Sequence, residues 1–194
     1  AAFSVLKSAE IPSVLIELGR LGPDALEQFN RDGSTVELIG AEHSPGHEVT
    51  AGSLGQAISQ AGGIALARRL RGDTGRVWLF MSDGEFQEGQ TWEAFAALSY
   101  YRLDNLGVYI DANGQQCDGA MDSVMNIEPL AARLAAFGAD VHEVNGHDLD
   151  ALATPAASAP AGKPLVVVLN KSDRYSADEL DQLMERIGSR LRES

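Results

Sequence analysis

Residues 76–94, RVWLFMSDGEFQEGQTWEA, join an apolar run to a cluster of acids and glycines and then resume with helical spacing. The run at 76–81 is typical of a buried strand, and the segment after the acids predicts a helix. Between the two lie three carboxylates, Asp83, Glu85 and Glu88. Carboxylates crowded at a strand exit repel one another unless a cation or a hydrogen-bond network stabilises them. The stretch therefore predicts a strand and a helix joined by a turn that could hold a cation.

Strand-like and helical patterns alternate through the rest of the chain. The runs rich in β-branched or aromatic residues are 76–81, 106–110, 139–144 and 164–169. The helical patterns are 22–30, 53–72, 89–103, 128–138, 148–158 and the tail from Ser176. Because the strands are apolar on both faces, this alternation predicts an α/β fold, a three-layer helix-sheet-helix arrangement with a mainly parallel sheet.

Length and composition limit the class of protein. At 194 residues the chain is long enough for one well-buried domain, so we expect residues 1–194 to form a single domain. A net charge of −13 disfavours nucleic acid and anionic lipid as partners, and no apolar run approaches the roughly 20 residues of a membrane span. A single cysteine is compatible with a reducing cytoplasm, where we place the protein. The first 19 residues lack a secretory signal and instead read as a helix entered midway, which suggests further sequence before Ala1.

Two strand exits carry oxygen ligands. Asp83 follows the strand-like run at 76–81, and Asn113 follows the one at 106–110. In an open parallel sheet, ligands bind beyond the carboxyl ends of the strands. A carboxylate and an amide oxygen suit Mg²⁺, which completes its coordination with phosphate oxygens and water. Gly84 would let phosphates approach the backbone. An isolated Asp-Gly pair is also common in surface turns, so these residues alone do not decide between the two interpretations.

A longer pattern around these residues resembles the thiamine diphosphate signature of the transketolase family. Its landmarks here are Asp83-Gly84, Glu88-Gly89, Trp92-Glu93-Ala94, Leu103-Asp104-Asn105-Leu106, Asp111-Ala112-Asn113 and Asp118-Gly119. The upstream segment TAGSLGQAISQAGGIALA resembles the family's Thr-Gly-Ser-Leu-Gly-Gln helix start, and IEPLAARLAAFGADVHEVNGHD continues the likeness downstream. The resemblance covers residues 1 to 169.

The resemblance implies a set of site residues. The metal ligands would be the side chains of Asp83 and Asn113 and the backbone carbonyl of Gln115. Candidate cofactor contacts are Gly52, Leu54, Asp83, Gly84, Glu85, Asn113 and Cys117, with Leu54 and Cys117 near the cofactor rings. Glu88 matches an acid at the dimer interface that links paired cofactors, and we treat it as a catalytic candidate. The glutamate that activates the aminopyrimidine belongs to a second, pyrimidine-binding domain that these residues do not resemble.

Three departures from the family pattern affect the interpretation. Ser82 stands where the family has glycine, a tolerable change to a small residue. In residues 33–49, Ile39 falls where the family has a substrate-contacting histidine; His43 and His47 lie nearby. Either could reach a substrate, and we take His43 as the catalytic candidate, although loop histidines are commonly just solvated. After residue 170 the family's Lys-Gly-x-Gly closing loop is replaced by KSDRYSADEL. His147 also has a family match, but Asp148 at the start of a helix gives it a sufficient structural role.

These features favour the N-terminal subunit of a split transketolase-like enzyme that uses thiamine diphosphate and Mg²⁺. The expected partner is a C-terminal pyrimidine-binding subunit in an α2β2 heterotetramer. A two-carbon ketol unit would pass from a ketose phosphate to a sugar aldehyde or, in secondary metabolism, to an acyl carrier protein thiol. Two alternatives stay open. One is another thiamine diphosphate enzyme component, deoxyxylulose phosphate synthase-like or 2-oxo acid decarboxylating, and the other is a non-catalytic cofactor-binding subunit.

Overall fold

Five parallel strands form the central sheet of the computed structural model, which describes residues 2–4, 15–16, 19–37, 43–45, 49–116, 118–158 and 161–170. In chain order these strands are β1 (Ala2–Ser4), β2 (Val77–Ser82), β3 (Leu106–Ala112), β6 (Asp140–Asn145) and β7 (Leu165–Asn170). Their order across the sheet is β1-β2-β3-β7-β6, and every neighbouring pair is parallel. A separate antiparallel pair, β4 (Gln115–Gln116) and β5 (Gly119–Ala120), follows β3.

Six α-helices and one 3-10 helix lie within the described residues. They are α1 (Ala25–Gln28), α2 (Ala57–Leu70), the 3-10 helix (Asp83–Gln87), α3 (Gly89–Tyr100), α4 (Met121–Val124), α5 (Leu130–Ala136) and α6 (Leu149–Ser158). The four strands and the helices at 53–72, 89–103, 128–138 and 148–158 that the sequence predicts are therefore confirmed, with ends shifted by a few residues. Among the described helices, none combines the length and the apolar character needed to cross a bilayer.

Helices cover both faces of the sheet. On one face, α2, α3 and α5 pack on alternate strand residues such as Leu79, Ile110 and Val168 in the main hydrophobic core. On the other face, α6 contacts the sheet through two side-chain hydrogen bonds. Tyr109 Oη donates to the Leu152 carbonyl at 3.1 Å, and an Arg76 guanidinium nitrogen donates to the Ala156 carbonyl at 3.0 Å. The predicted three-layer α/β arrangement is confirmed.

The prediction of a helix from the first residue is wrong at Ala2–Ser4. These residues form β1, paired in parallel with Trp78–Phe80 of β2. The pattern of the first 19 residues is helical in period, but the hydrogen bonds of a strand come from a partner more than 70 positions away in the chain. Residues 15 and 16 are helical. The tail helix expected from Ser176 lies outside the described residues.

Candidate functional site

Asp83 lies at the carboxyl end of β2, as the first residue of the 3-10 helix. A capping box holds this turn: the Ser82 side chain accepts the Glu85 amide, and the Glu85 side chain accepts the Ser82 amide. Asp83 is 2% exposed; its Oδ2 accepts the Gly114 amide at 2.9 Å, and its buried Oδ1 has no hydrogen-bond partner in the described part of the chain. Burial raises the pKa of Asp83, as does the nearby Asp111 carboxylate, and the Gly114 amide bonded to Oδ2 partly opposes the rise. A buried carboxylate oxygen without a partner is suited to accept a cation.

Asn113 lies beside Asp83, at the carboxyl end of β3. The register pairs Ser82 with Asp111, which places the exits of β2 and β3 side by side. Asn113 Oδ1 accepts the Gln115 amide at 2.8 Å, and its Nδ2 donates to Asp111 Oδ2 at 3.1 Å. These two bonds orient the exposed Asn113 amide. The sequence pattern did not assign a role to Asp111, which is 7% exposed and fixes that amide.

A cleft of about 380 Å³ opens at this edge of the sheet. Its described lining comprises Asp83, Ala112, Asn113, Gly114, Gln115, Ala120, Met121, Asp122, Asn126, Glu128, Glu143, Val168 and Asn170. The lining therefore carries four carboxylates and, among the described residues, no basic side chain. Glu143 and Asn170 were not predicted from the sequence, although Asn170 ends β7 and the rule that places ligands at strand ends could have found it.

The donor set in the cleft fits a hard divalent cation. Asp83, Asn113 and Gln115 all line the cleft, and they offer one carboxylate, one amide oxygen and one backbone carbonyl. The described residues contain no group of three or more His, Cys, Asp or Glu side chains arranged to hold a metal. A site with so few charged ligands suits Mg²⁺, which keeps positions for phosphate oxygens and water, better than a transition metal.

Two glycine-containing segments leave the backbone accessible near this site. A Cβ placed at Gly84 would meet nothing closer than 3.9 Å, so a ligand can approach the backbone there. The second segment, the loop at 52–55 ahead of α2, is tied to the Asp83 turn because the Gly55 amide donates to Glu85 Oε2 at 2.9 Å. Gly52 is exposed and Leu54 is 44% exposed, so the apolar Leu54 side chain is available to a ligand or a partner.

Other predicted site residues lie apart from the described cleft lining. Glu88 is exposed between the 3-10 helix and α3. Glu85 is fully buried with its carboxylate bonded to two backbone amides, rather than facing the cleft. His43 is exposed, with Nε2 3.2 Å from Glu37 Oε2. Cys117 lies outside the described residues.

The structure describes only some of the remaining residues that the sequence comparison singled out. His47 and Ile39 lie outside the described residues. Asp148 accepts the amides of Asp150 and Ala151 at the start of α6, at 3.0 and 3.1 Å, which confirms its capping role. His147 is exposed in the turn before that cap.

Comparison with known proteins identifies the class to which this fold and site belong. Residues 21–193 match the family model for the transketolase thiamine diphosphate binding domain. The chain therefore belongs to the transketolase thiamine diphosphate binding domain family.

Individual relatives agree with this family. The chain is 41% identical over 141 residues to a putative uncharacterized transketolase family protein from Sinorhizobium fredii, covering 72% of this chain and 50% of that protein. It is 34% identical over 158 residues to one subunit of the apulose-4-phosphate transketolase of Actinobacillus succinogenes, covering 80% of this chain and 57% of that subunit. It is 35% identical over 150 residues to one subunit of the 6-deoxy-6-sulfo-D-fructose transketolase of a Clostridium strain, covering 76% and 54%. The chain thus spans about half the length of the curated relatives it matches.

Solved structures show the same architecture. The transketolase of Leishmania mexicana superposes with a TM-score of 0.73 at 28% identity, covering 87% of this chain and 28% of that one. A Pichia stipitis transketolase in complex with sedoheptulose 7-phosphate gives a TM-score of 0.75 at 27% identity, with the same coverage. The described fold is that of a transketolase thiamine diphosphate binding domain.

Proposed function

We propose that this chain is the diphosphate-binding half of a split transketolase, which transfers a two-carbon ketol unit from a ketose phosphate to an aldehyde. The observation that carries the proposal is the buried, unpartnered Oδ1 of Asp83, placed beside Asn113 at the carboxyl edge of a parallel sheet. The names of the curated relatives, which include one subunit of an apulose-4-phosphate transketolase, support the reaction class. Transfer to an aldehyde is redox-neutral, so no further reactant is required.

Several residues of this chain would hold the cofactor. Thiamine diphosphate, when bound, breaks the carbon–carbon bond beside a ketone carbonyl and carries the two-carbon unit. Asp83, Asn113 and the Gln115 carbonyl would ligate Mg²⁺, which in turn orients the diphosphate. Gly84 would present its backbone to the diphosphate. Leu54 would contact the cofactor rings.

A partner subunit is needed to complete the site. The described cleft lining has four carboxylates and no basic side chain, so a cofactor diphosphate and a phosphorylated sugar require positive charge from Mg²⁺ and from groups beyond this lining. We assign those groups, and the acid that activates the aminopyrimidine, to a pyrimidine-binding subunit in an α2β2 assembly. Glu88, exposed next to the 52–55 loop, would lie at the interface. We place the assembly in the cytoplasm.

The test is a reconstitution of the full-length chain with the product of a neighbouring reading frame that encodes a pyrimidine-binding domain. The assembled protein, with thiamine diphosphate and Mg²⁺, should convert a ketose phosphate and an aldose into products shifted by two carbons, as read by mass spectrometry. Release of CO₂ from a 2-oxo acid would instead indicate a decarboxylating component. Cofactor binding without any turnover would indicate a non-catalytic subunit.

A further inference from the structure

Glu85 is a buried acid whose two carboxylate oxygens bond to two separate parts of the chain. The residue is 0% exposed. Its Oε1 accepts the Ser82 amide at 3.1 Å, and its Oε2 accepts the Gly55 amide at 2.9 Å. Ser82 ends β2, just before the Asp83 turn, whereas Gly55 belongs to the loop ahead of α2. One side chain therefore joins the two segments that the proposed function assigns to the cofactor.

We propose that Glu85 is a positioning residue, which sets the placement of the 52–55 loop relative to the Asp83–Gly84 turn and thereby the geometry of the cofactor site. This inference rests on the proposed function. Asp83 lines the cleft, whereas Glu85 is absent from the described lining, so Glu85 would act through the backbone that it holds.

The choice of a carboxylate supports a bridging role. An ionised glutamate accepts hydrogen bonds at both oxygens, whereas glutamine of the same shape offers one acceptor and one donor group. Burying a carboxylate away from water is unfavourable, and burial raises the pKa of Glu85, an effect that the Gly55 and Ser82 amides oppose. An apolar side chain would fill the same space without that penalty, but it could not bond to both amides.

Close packing makes the 52–55 loop sensitive to any shift in Glu85. Gly55 has a φ of 74°, and a Cβ built there would lie 2.9 Å from both Glu88 Cβ and Thr91 Oγ1. Thr91 Oγ1 in turn donates to the Glu85 carbonyl at 2.7 Å. The loop and the start of α3 are thus in direct contact with no spare volume. A displacement of the Gly55 amide would move Leu54 as well.

The proposal is tested with Glu85→Gln in the full-length protein. The substitution keeps the shape but places an NH2 group against a backbone N–H, which leaves a buried donor without an acceptor. Without cofactor, we expect hydrogen exchange in a peptide covering residues 50–58 to become about tenfold faster or more, measured by mass spectrometry. In the assembled enzyme, we expect about a tenfold weaker affinity for thiamine diphosphate at saturating Mg²⁺, with a smaller change in kcat once the cofactor saturates.

Asn105→Ala is the matched control. Asn105 Nδ2 donates to the Ala65 carbonyl at 2.8 Å. This variant therefore removes a hydrogen bond to α2, the helix that follows the 52–55 loop, at the opposite edge of the sheet. It should lower the unfolding temperature without changing exchange at 50–58 or cofactor affinity. Equal weakening of cofactor affinity in both variants, or unchanged exchange at 50–58 in Glu85→Gln, would overturn the proposal.

A second variant and a cofactor-free measurement separate the role of Glu85 from misfolding and from the proposed function. If Glu85→Gln does not fold, Glu85→Asp keeps the charge but is one methylene too short to reach both amides, and the same loosening of 50–58 is expected. If the unmodified assembled protein binds no thiamine diphosphate, the proposed function fails. The exchange comparison needs no cofactor, so it separately decides whether Glu85 holds the loop.

Discussion

The two edges of the parallel sheet differ in how deeply their charged side chains are buried. At the carboxyl edge, Asp83, Glu85 and Asp111 are buried, at 2%, 0% and 7% exposure. At the amino edge, charged groups such as Arg69 and Asp104 lie nearer to solvent and bond to backbone. The proposed function assigns the carboxyl edge, through Asp83, to a cation, and it assigns no ligand to the amino edge.

At the amino edge, charged side chains form hydrogen bonds with backbone groups near the ends of helices and strands. An Arg69 guanidinium nitrogen donates to the carbonyls of Tyr101 and Arg102, which follow α3, at 2.6 and 3.0 Å. Asp104 Oδ2 accepts the Gly162 amide at 2.9 Å, ahead of β7. Such contacts stabilise the fold directly. At the carboxyl edge, Glu85 and Asp111 are likewise hydrogen-bonded, whereas Asp83 keeps a buried oxygen without a partner among the described residues, and that uncompensated burial is unfavourable.

Asp83→Ala should give the largest effect and tests this contrast most directly. Under the proposed function Asp83 ligates the cation that orients the diphosphate, so we expect cofactor-dependent activity of the assembled enzyme to fall by about a thousandfold or more. Asn113→Ala should act in the same direction. Asp104→Ala, an aspartate at the opposite edge, should keep most of its activity. Steady-state assays at saturating Mg²⁺ provide the measurement, and normal turnover in Asp83→Ala would contradict the site.

The second prediction concerns the share of cofactor binding that this chain supplies. When thiamine diphosphate is present at about 100 times its Kd, its binding should raise the free energy of unfolding of the assembled protein by roughly 2.7 kcal/mol. For a domain of this size that corresponds to an upward shift of about 5–10 °C in Tm. The chain alone should gain little from the same additions. Melting curves of each form, with and without thiamine diphosphate and Mg²⁺, test this, and a full shift in the isolated chain would refute the half-site argument.

Gly55→Ala should destabilise the protein more than Gly72→Ala. Both glycines have a φ near 75°, so both variants carry the strain of a left-handed alanine, on the order of 1 kcal/mol. At Gly72 a Cβ meets nothing within 4 Å, whereas at Gly55 it meets Glu88 and Thr91 at 2.9 Å. Overpacking should add roughly 1–3 kcal/mol at Gly55. Denaturant unfolding of the two variants measures the difference, and equal losses would show that the loop does not press on α3.

Asp83→Asn should change stability the least, and it should raise the stability of the cofactor-free protein, whereas the glycine variants lower it. The asparagine can still accept the Gly114 amide but carries no buried charge, so the cofactor-free protein should gain about 1 kcal/mol at neutral pH. The pKa of Asp83 is raised in the folded state, so folding favours the protonated acid and stability falls as pH rises from the ordinary value of 3.8 through the raised one. The stability difference between Asp83→Asn and the parent should widen across that range and then stay constant. Urea unfolding of both proteins at several pH values measures this difference. A stability difference that narrows as pH rises would contradict the prediction.

Much of the architecture follows from local pattern. The strand-like runs at 76–81 and 106–110 became Val77–Ser82 and Leu106–Ala112, because period, branching and flanking turns are all encoded within a few neighbouring residues. The strand Ala2–Ser4 was missed for the converse reason. Three residues carry too little pattern of their own, and pairing with Trp78–Phe80 supplies the strand.

The candidate site divides in the same way. Asp83 and Asn113 could be predicted because each follows a strand directly and the carboxyl ends of parallel strands meet at one edge. Glu143 in the cleft lining could not, since it lies within β6 and nothing local indicates which face of the sheet the cleft uses.

The sequence by itself determined the alternation of strands and helices, the family resemblance and the two side chains at neighbouring strand exits, because each of these is encoded by residues close together in the chain. The tertiary structure alone decided that Glu85 is buried and bonds to Gly55, thirty positions earlier, and that Asp83 keeps one oxygen without a partner among the described residues. Burial and hydrogen-bond satisfaction depend on which distant backbone groups arrive at the same point, and no local pattern specifies that meeting.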